Sequence, residues 1–330
     1  MFLKNSDTPE QLAYVFKNTN KKLEIGSVLQ KAIDNEDISA VRILLNSPYA
    51  KLSEFGRFVF LATALKHNGM KGNEIYKILI NDSRFSLENR LCAAASVGNV
   101  NMVKELLEQF DFSYEDKSLA LIKSTSNTDS VQIALLLLSN DYGLPADPAF
   151  QNNNAIVYAS GNGNIELVKL LLSYPEVNPS AQNNNALRQA INKSDMDMIN
   201  LLLNDSRTDY PNILIHAVQI GNPEIVKMLL NNPKVDASVK GNKAIKNVVE
   251  ALEGDLRVLN LLIDGDPDGE SVEEDSREEI SEDGIEKATE YHRNRINKYT
   301  TIVAMLLNDK NVWNKLSEED RMKYSGLLGG

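Results

Sequence analysis

The sequence predicts an all-α solenoid of about nine helix-turn-helix repeats, and three observations predict it. The segments VRILLN, YKILIN, VKELLE, ALLLLS, VKLLLS, INLLLN, VKMLLN, LNLLID and VAMLLN share one apolar-rich signature. Their last apolar residues are Leu45, Ile80, Leu107, Leu138, Leu172, Leu203, Leu230, Ile263 and Leu307, at spacings of 35, 27, 31, 34, 31, 27, 33 and 44. A small residue recurs thirteen positions before the anchor, at Ala32, Ala94, Ala159, Ala190 and Ala217, with Thr125 at that offset in the fourth copy. Between the two stands Gly-Asn, at 72–73, 98–99, 163–164 and 221–222, or Gly-Asp at 254–255.

Each part of the unit follows from these residues. Small side chains let a first helix lie close to its neighbours. The glycine-containing dipeptide turns the chain, and asparagine is better suited to turns and helix starts than to helix interiors. The second helix ends in a leucine pair that continues the apolar stripe of residues such as Ile165 and Val168. Neither helix can bury that stripe alone, so the units must stack. At the front, Thr8-Pro9-Glu10-Gln11 reads as a capping box with proline at the first helical position, followed by Leu12, Val15 and Phe16 on one face. At the back, Ser317-Glu318-Glu319-Asp320 starts a short helix that Gly326 ends. The expected organisation is an N-terminal capping helix in 1–22, an array over 23–310 with an acidic insertion at 264–284, and a C-terminal cap and flexible tail in 311–330.

The stretches NGNIELVKLLL and VKLLLSYPEVNPSAQNNNALRQA resemble ankyrin repeats, in which a Gly-His turn precedes the leucine-rich second helix. Here Gly-His becomes Gly-Asn. The Thr-Pro-Leu-His opening of the first helix is missing, and Asn89, Asn154, Asn185 and Asn212 stand at the threonine position as expected side-chain caps. The asparagine-rich form is similar to arrays of large DNA viruses of protists and of amoebal proteins. The resemblance covers roughly residues 23–310, and the spacings of 27 imply shortened hairpin tips. It also implies protein binding through the exposed side of the first helices, which assigns Asn153, Tyr158, Asn162, Asn184, Gln189, Lys193, His216 and Gln219 to a concave surface.

Composition narrows the remaining classes. The net charge of −11 is concentrated: Asp264–Asp283 holds eleven carboxylates and only Arg277 as a cation, hence −10, leaving −1 for the rest. Nucleic-acid binding is not expected, because no basic face accompanies this near-neutral body. No apolar run reaches the ~20 residues of a membrane span. The N-terminus MFLKNSDTPEQ lacks the apolar core of a secretion signal, so a cytoplasmic location is expected. Cys92 is the single cysteine, so an intrachain disulfide is excluded and no cofactor is implied.

The acidic insertion offers one metal motif. Asp264, Asp266, Asp268, Glu270 and Asp275 fit the alternation of an EF-hand calcium loop. The twelfth position is Asp rather than Glu, Ser271 replaces the usual apolar residue, Pro267 stiffens the loop and no second hand exists, so a solvated acidic loop is the simpler reading. His67, His216 and His292 share no ligand spacing, and Cys92 has no nearby histidine and reads as a small core residue. Asn81-Asp-Ser83, Asn192-Lys-Ser194 and Asn204-Asp-Ser206 match glycosylation acceptors but read as caps and turns. The terminal Leu327-Leu328-Gly329-Gly330 is similar to the tails of ubiquitin-like modifiers, yet no strand pattern precedes it. A non-enzymatic interaction scaffold is therefore expected. The alternatives are a scaffold displaying an acidic loop that binds calcium or a basic partner, and an enzyme whose site is unrecognised.

Overall fold

The computed structural model describes residues 8–19, 21–53, 57–67, 69–209, 212–264 and 282–328. The chain divides into two compact units, Met1–Asn178 and Pro179–Gly330.

The first unit opens with α1 (Pro9–Lys17), where the Gln11 amide N–H donates to the Thr8 side chain and the Gln11 side chain accepts from the Thr8 amide. Leu12, Val15 and Phe16 are buried, and α1 packs on α3. Five helix pairs follow: α2 (Gly26–Asp34) with α3 (Ile38–Asn46), α4 (Arg57–Lys66) with α5 (Met70–Ile80), α6 (Leu87–Ser96) with α7 (Val100–Gln109), α8 (Tyr114–Ser124) with α9 (Ser130–Leu138), and α10 (Phe150–Asn162) with α11 (Ile165–Leu172). The only strands among the described residues are β1 (Leu23–Glu24) and β2 (Ala50–Lys51), two residues each and parallel.

The second unit holds three pairs, α12 (Ala181–Asn192) with α13 (Met196–Asn204), α14 (Ile213–Ile220) with α15 (Pro223–Leu230), and α16 (Val239–Asp264) with α17 (Glu282–Leu307). The short α18 (Lys310–Lys315) and α19 (Glu318–Gly326) complete it, and the Ser317 side chain accepts from the Asp320 amide at the head of α19.

Packing within each pair obeys the sequence pattern. The small residues Ala32, Ala94, Thr125, Ala159, Ala190 and Ala217 are all buried. So is the leucine next to the end of the apolar run in every second helix: Leu44, Leu79, Leu106, Leu137, Leu171, Leu202, Leu229 and Leu306. Burying a leucine side chain contributes about 1.5–3 kcal/mol, so this one position supplies much of the cohesion of the array. A common turn chemistry recurs in five of the eight pairs. Gly98, Gly163 and Gly221 take φ of +78, +76 and +73, a region that glycine enters without steric cost. The next residue then caps the second helix: the side chains of Asn99, Asn164 and Asn222 accept from the amides of Met102, Leu167 and Glu224. Asp37 and Asp195 do the same where the preceding residue is Glu36 or Ser194, each also at positive φ.

Three expectations are corrected. The described residues form eight helix pairs, in keeping with the expected array of about nine, but the anchor expected at Ile263 does not hold. Gly254 and Asp255, expected to be a turn, lie inside α16, and the expected anchor Ile263 is 55% exposed with Leu261 beside it at 54%. The reason is visible in the buried residues Ile245, Val248, Leu252 and Asp255, whose spacing of three or four runs through the glycine without a break. One interior glycine costs about 1 kcal/mol, too little to break a helix that packs along a long partner. Gly72 and Asn73 are likewise inside α5, after the true N-cap at Gly69. A Cβ on Gly72 would stand 1.9 Å from the His67 carbonyl oxygen, so this glycine serves close approach rather than a turn.

The third correction concerns the asparagine caps. Asn89 is the third residue of a helix capped by Ser86. Asn154 and Asn185 donate through their side-chain amides to Gln151 and Gln182 Oε1, each at 3.2 Å. Asn212 sits at φ +65 and makes no side-chain cap. What distinguishes these helix starts is a left-handed turn. Gln151-Asn152-Asn153, Gln182-Asn183-Asn184 and Lys240-Gly241-Asn242 each place three successive residues at φ between +49 and +66. Asparagine tolerates that region better than other chiral residues, which otherwise lose about 1–2 kcal/mol there.

Candidate functional site

The predicted surface residues sit on the first helices of three pairs. In the first unit, Tyr158 and Asn162 lie four residues apart on α10, on one face of the helix. Tyr158 is 51% exposed, and the Asn162 side-chain amide donates to Thr125 Oγ1 at 3.4 Å. Asn153 belongs elsewhere. It is buried, and its Oδ1 accepts from the Asn178 amide at 2.7 Å.

In the second unit, α12 carries Gln189 with Lys193 four residues on as its C-cap, and α14, packed against α12, carries His216 and Gln219 at i,i+3. Lys193 and Gln219 are exposed, whereas Gln189 and His216 are half-buried. His216 Nε2 lies 2.8 Å from Asn192 Oδ1. Burial holds its pKa below the usual histidine value, and the nearby Arg188 charge acts in the same direction. The fully buried Ala186, Ala190 and Ala217 beneath these side chains bring the two helices together. Asn184 is corrected in the same way as Asn153: it is 2% exposed, at the last position of its left-handed turn. Polarity suggested exposure for both, but the backbone conformation turns them inward.

Four residues that the sequence reading missed complete this surface. Tyr291, Arg295, Lys298 and Tyr299 of α17 line a notch of about 380 Å³ together with Gln219, Ile220 and Gly221 at the end of α14. Arg295 donates through Nη2 to Tyr299 Oη at 3.0 Å and through Nη1 to Tyr291 Oη at 3.3 Å, with its guanidinium 5.3 and 5.5 Å from the two ring centres. Behind it, Asp255 of α16 is 4% exposed. Its Oδ2 lies 3.3 Å from Arg295 Nε and its Oδ1 lies 2.7 Å from His292 Nδ1. The buried carboxylate thereby fixes two basic side chains of α17. Gly221 admits the wall of the notch, since a Cβ there would stand 2.9 Å from Tyr299 Cε1. The available signal was the run YHRNRINKY, residues 291–299, which holds three cations and no carboxylate.

The other candidates resolve into structure. Cys92 is buried, which pushes its thiol pKa up to about 12 and leaves it without thiolate character. His67 Nδ1 lies 3.3 Å from Glu36 Oε1. In two of the apparent glycosylation acceptors the Asp and the Arg after the Ser form a clasp: Arg84 grips Asp82, and Arg207 grips Asp205 through Nε at 2.9 Å and Nη2 at 2.7 Å. Of the calcium motif, Asp266, Asp268, Glu270 and Asp275 lie outside the described residues, and Asp264 is described only as the last residue of α16. Among the described residues no group of three or more His, Cys, Asp or Glu could hold a metal ion. No helix among them is long and apolar enough to cross a membrane.

Against this geometry the comparisons are specific. Residues 133–212 match the family model for ankyrin repeats (3 copies). No curated protein and no solved structure matches the chain. The matched segment begins in α9 and ends at the head of α14; outside it the buried leucine recurs in every pair, and the positive-φ turn with its Asx cap recurs in α2–α3, α6–α7 and α14–α15. The fold is an all-α, ankyrin-type helix-turn-helix array. Ankyrin repeats generally mediate protein–protein contacts.

Proposed function

We propose that this chain is a non-enzymatic scaffold that binds a protein partner through the exposed side of its first helices. The observation that carries the reading is the paired surface of α12 and α14. Gln189, Lys193, His216 and Gln219 stand there over a buried alanine floor, where α12 packs against α14. Tyr158 and Asn162 present the equivalent surface in the first unit. Neutral hydrogen-bonding and aromatic side chains on rigid helices suit a protein surface, because little side-chain order is left to impose on binding. Burial raises the Cys92 thiol pKa to about 12, which disfavours it as a nucleophile.

A photocrosslinking side chain placed at Tyr158 or at His216 should capture one and the same protein in the cells that make this chain. The same group placed at Lys104 on α7 should not capture it. Capture from Lys104 with none from Tyr158 or His216 would reject the first-helix surface.

A further inference from the structure

In a chain of net charge −11, the α17 run 291–299 is a basic exception, and two of its cations, Arg295 and Lys298, enter the notch beside Gln219. We propose that this notch receives one carboxylate side chain from an acidic segment of the protein partner. The inference rests on the scaffold reading and gives it a chemical specificity.

The donor set favours an oxyanion. The Tyr291 and Tyr299 oxygens accept from Arg295, so their own hydroxyl hydrogens remain to donate outward. Lys298 is exposed and has no partner among the described residues, and Gln219 adds a side-chain amide. Among the described residues no carboxylate lines the notch. Charge then selects the ligand. Arg295 and Lys298 contribute +2 and the buried Asp255 behind them −1, leaving +1, which balances one carboxylate and not a doubly charged phosphate. Arg295 is already locked by two hydroxyls, two rings and Asp255, so its ordering entropy is lost on folding rather than on binding. Two cations fall well short of the roughly six to ten phosphate contacts of a typical nucleic-acid interface.

The test uses the full chain and four fluorescein-labelled probes read by anisotropy at low salt. They are a peptide alternating Glu and Ser, the same peptide with Gln for Glu, the Gln peptide with phosphoserine for Ser, and an oligothymidine of equal length. The Glu peptide should bind and the Gln peptide should not. Lys298→Glu should weaken the Glu peptide by about tenfold, Arg295→Gln should also weaken it, and Lys104→Glu on α7 should leave it unchanged. Lys298 is exposed, so its variant keeps the fold even if Arg295→Gln does not. Four results would overturn the assignment: no binding of the Glu peptide, equal binding by Lys298→Glu, tighter binding of the phosphoserine peptide, or oligothymidine binding with the same dependence on Lys298. If His216 still crosslinks a partner while Lys298→Glu changes nothing, only the notch assignment falls. If the Glu peptide binds through Lys298 but neither His216 nor Tyr158 crosslinks, the first-helix reading falls and the notch stands.

Discussion

Replacing Gly254 by alanine should stabilise the protein. Gly254 lies in the interior of α16, and nothing stands within 4 Å of the position its Cβ would take. Glycine in a helix interior is about 0.8–1.0 kcal/mol less favourable than alanine, largely through the freedom it regains on unfolding. Gly221→Ala is the opposing control. Its φ of +73 costs an L-residue about 1–2 kcal/mol. The 2.9 Å approach to the Tyr299 ring adds overpacking of about 1–3 kcal/mol, for a loss of roughly 2–5 in all. Because a repeat array can open in parts, amide exchange along 243–264 is the direct assay, with urea unfolding by circular dichroism beside it. Exchange there should slow about fivefold in Gly254→Ala, the factor that corresponds to roughly 1 kcal/mol. A destabilisation of about 1 kcal/mol or more would mean that 254–255 is a strained turn. The eighth pair would then have to be divided in two.

Three further outcomes are expected. Leu202→Ala, at a fully buried position of α13, should cost about 2–5 kcal/mol, with exchange rising first in α12–α15; an equal rise in α2–α5 would contradict nearest-neighbour stacking. Cys92 should stay unreactive toward a thiol reagent at pH 8 until the chain unfolds, since burial raises its pKa to about 12; fast modification of the native protein would refute that. The Arg207 hydrogen bond and charge hold the Asp205 pKa below its ordinary value, so the stability from this clasp is full above about pH 4 and is lost as pH falls through the lower, folded pKa. Arg207→Gln should therefore melt below wild type at pH 7 and approach it in acid, and a gap that stays constant on acidification would exclude the linkage.

The repeat was legible because a buried leucine recurs at a nearly fixed distance from a buried small residue, and only helices can keep both offsets. That logic failed where one signal was read without the other. LNLLID has the anchor motif but lacks the small partner: the residue thirteen before Ile263 is Glu250, exposed on α16. The interior period through Leu252 and Asp255 was the better guide to the long α16–α17 pair. The surface was half legible. Tyr158, Lys193 and Gln219 are exposed as their polarity and offset suggest, whereas Asn153 and Asn184 are buried by a backbone twist that no hydropathy pattern encodes. The notch was hidden because Arg295 and Gly221 are far apart in sequence and meet only through the packing of α17 beside the α14 turn.

Three left-handed residues in a row at the head of a helix also limit how this sequence can drift. At Asn153, Asn184 and Asn242 a β-branched residue is a steric outlier at positive φ. Aspartate would tolerate the backbone but would bring a charge into a buried position. Glycine keeps the conformation and discards the side chain, which at Asn153 would leave the Asn178 amide without its acceptor. Each of these sites is thus nearly monogamous in residue type although it looks, by composition, like tolerant polar surface. Mutational change there should lag behind change at exposed polar positions of the same helices, and part of the count of 37 asparagines records a handedness requirement rather than a taste for solvent.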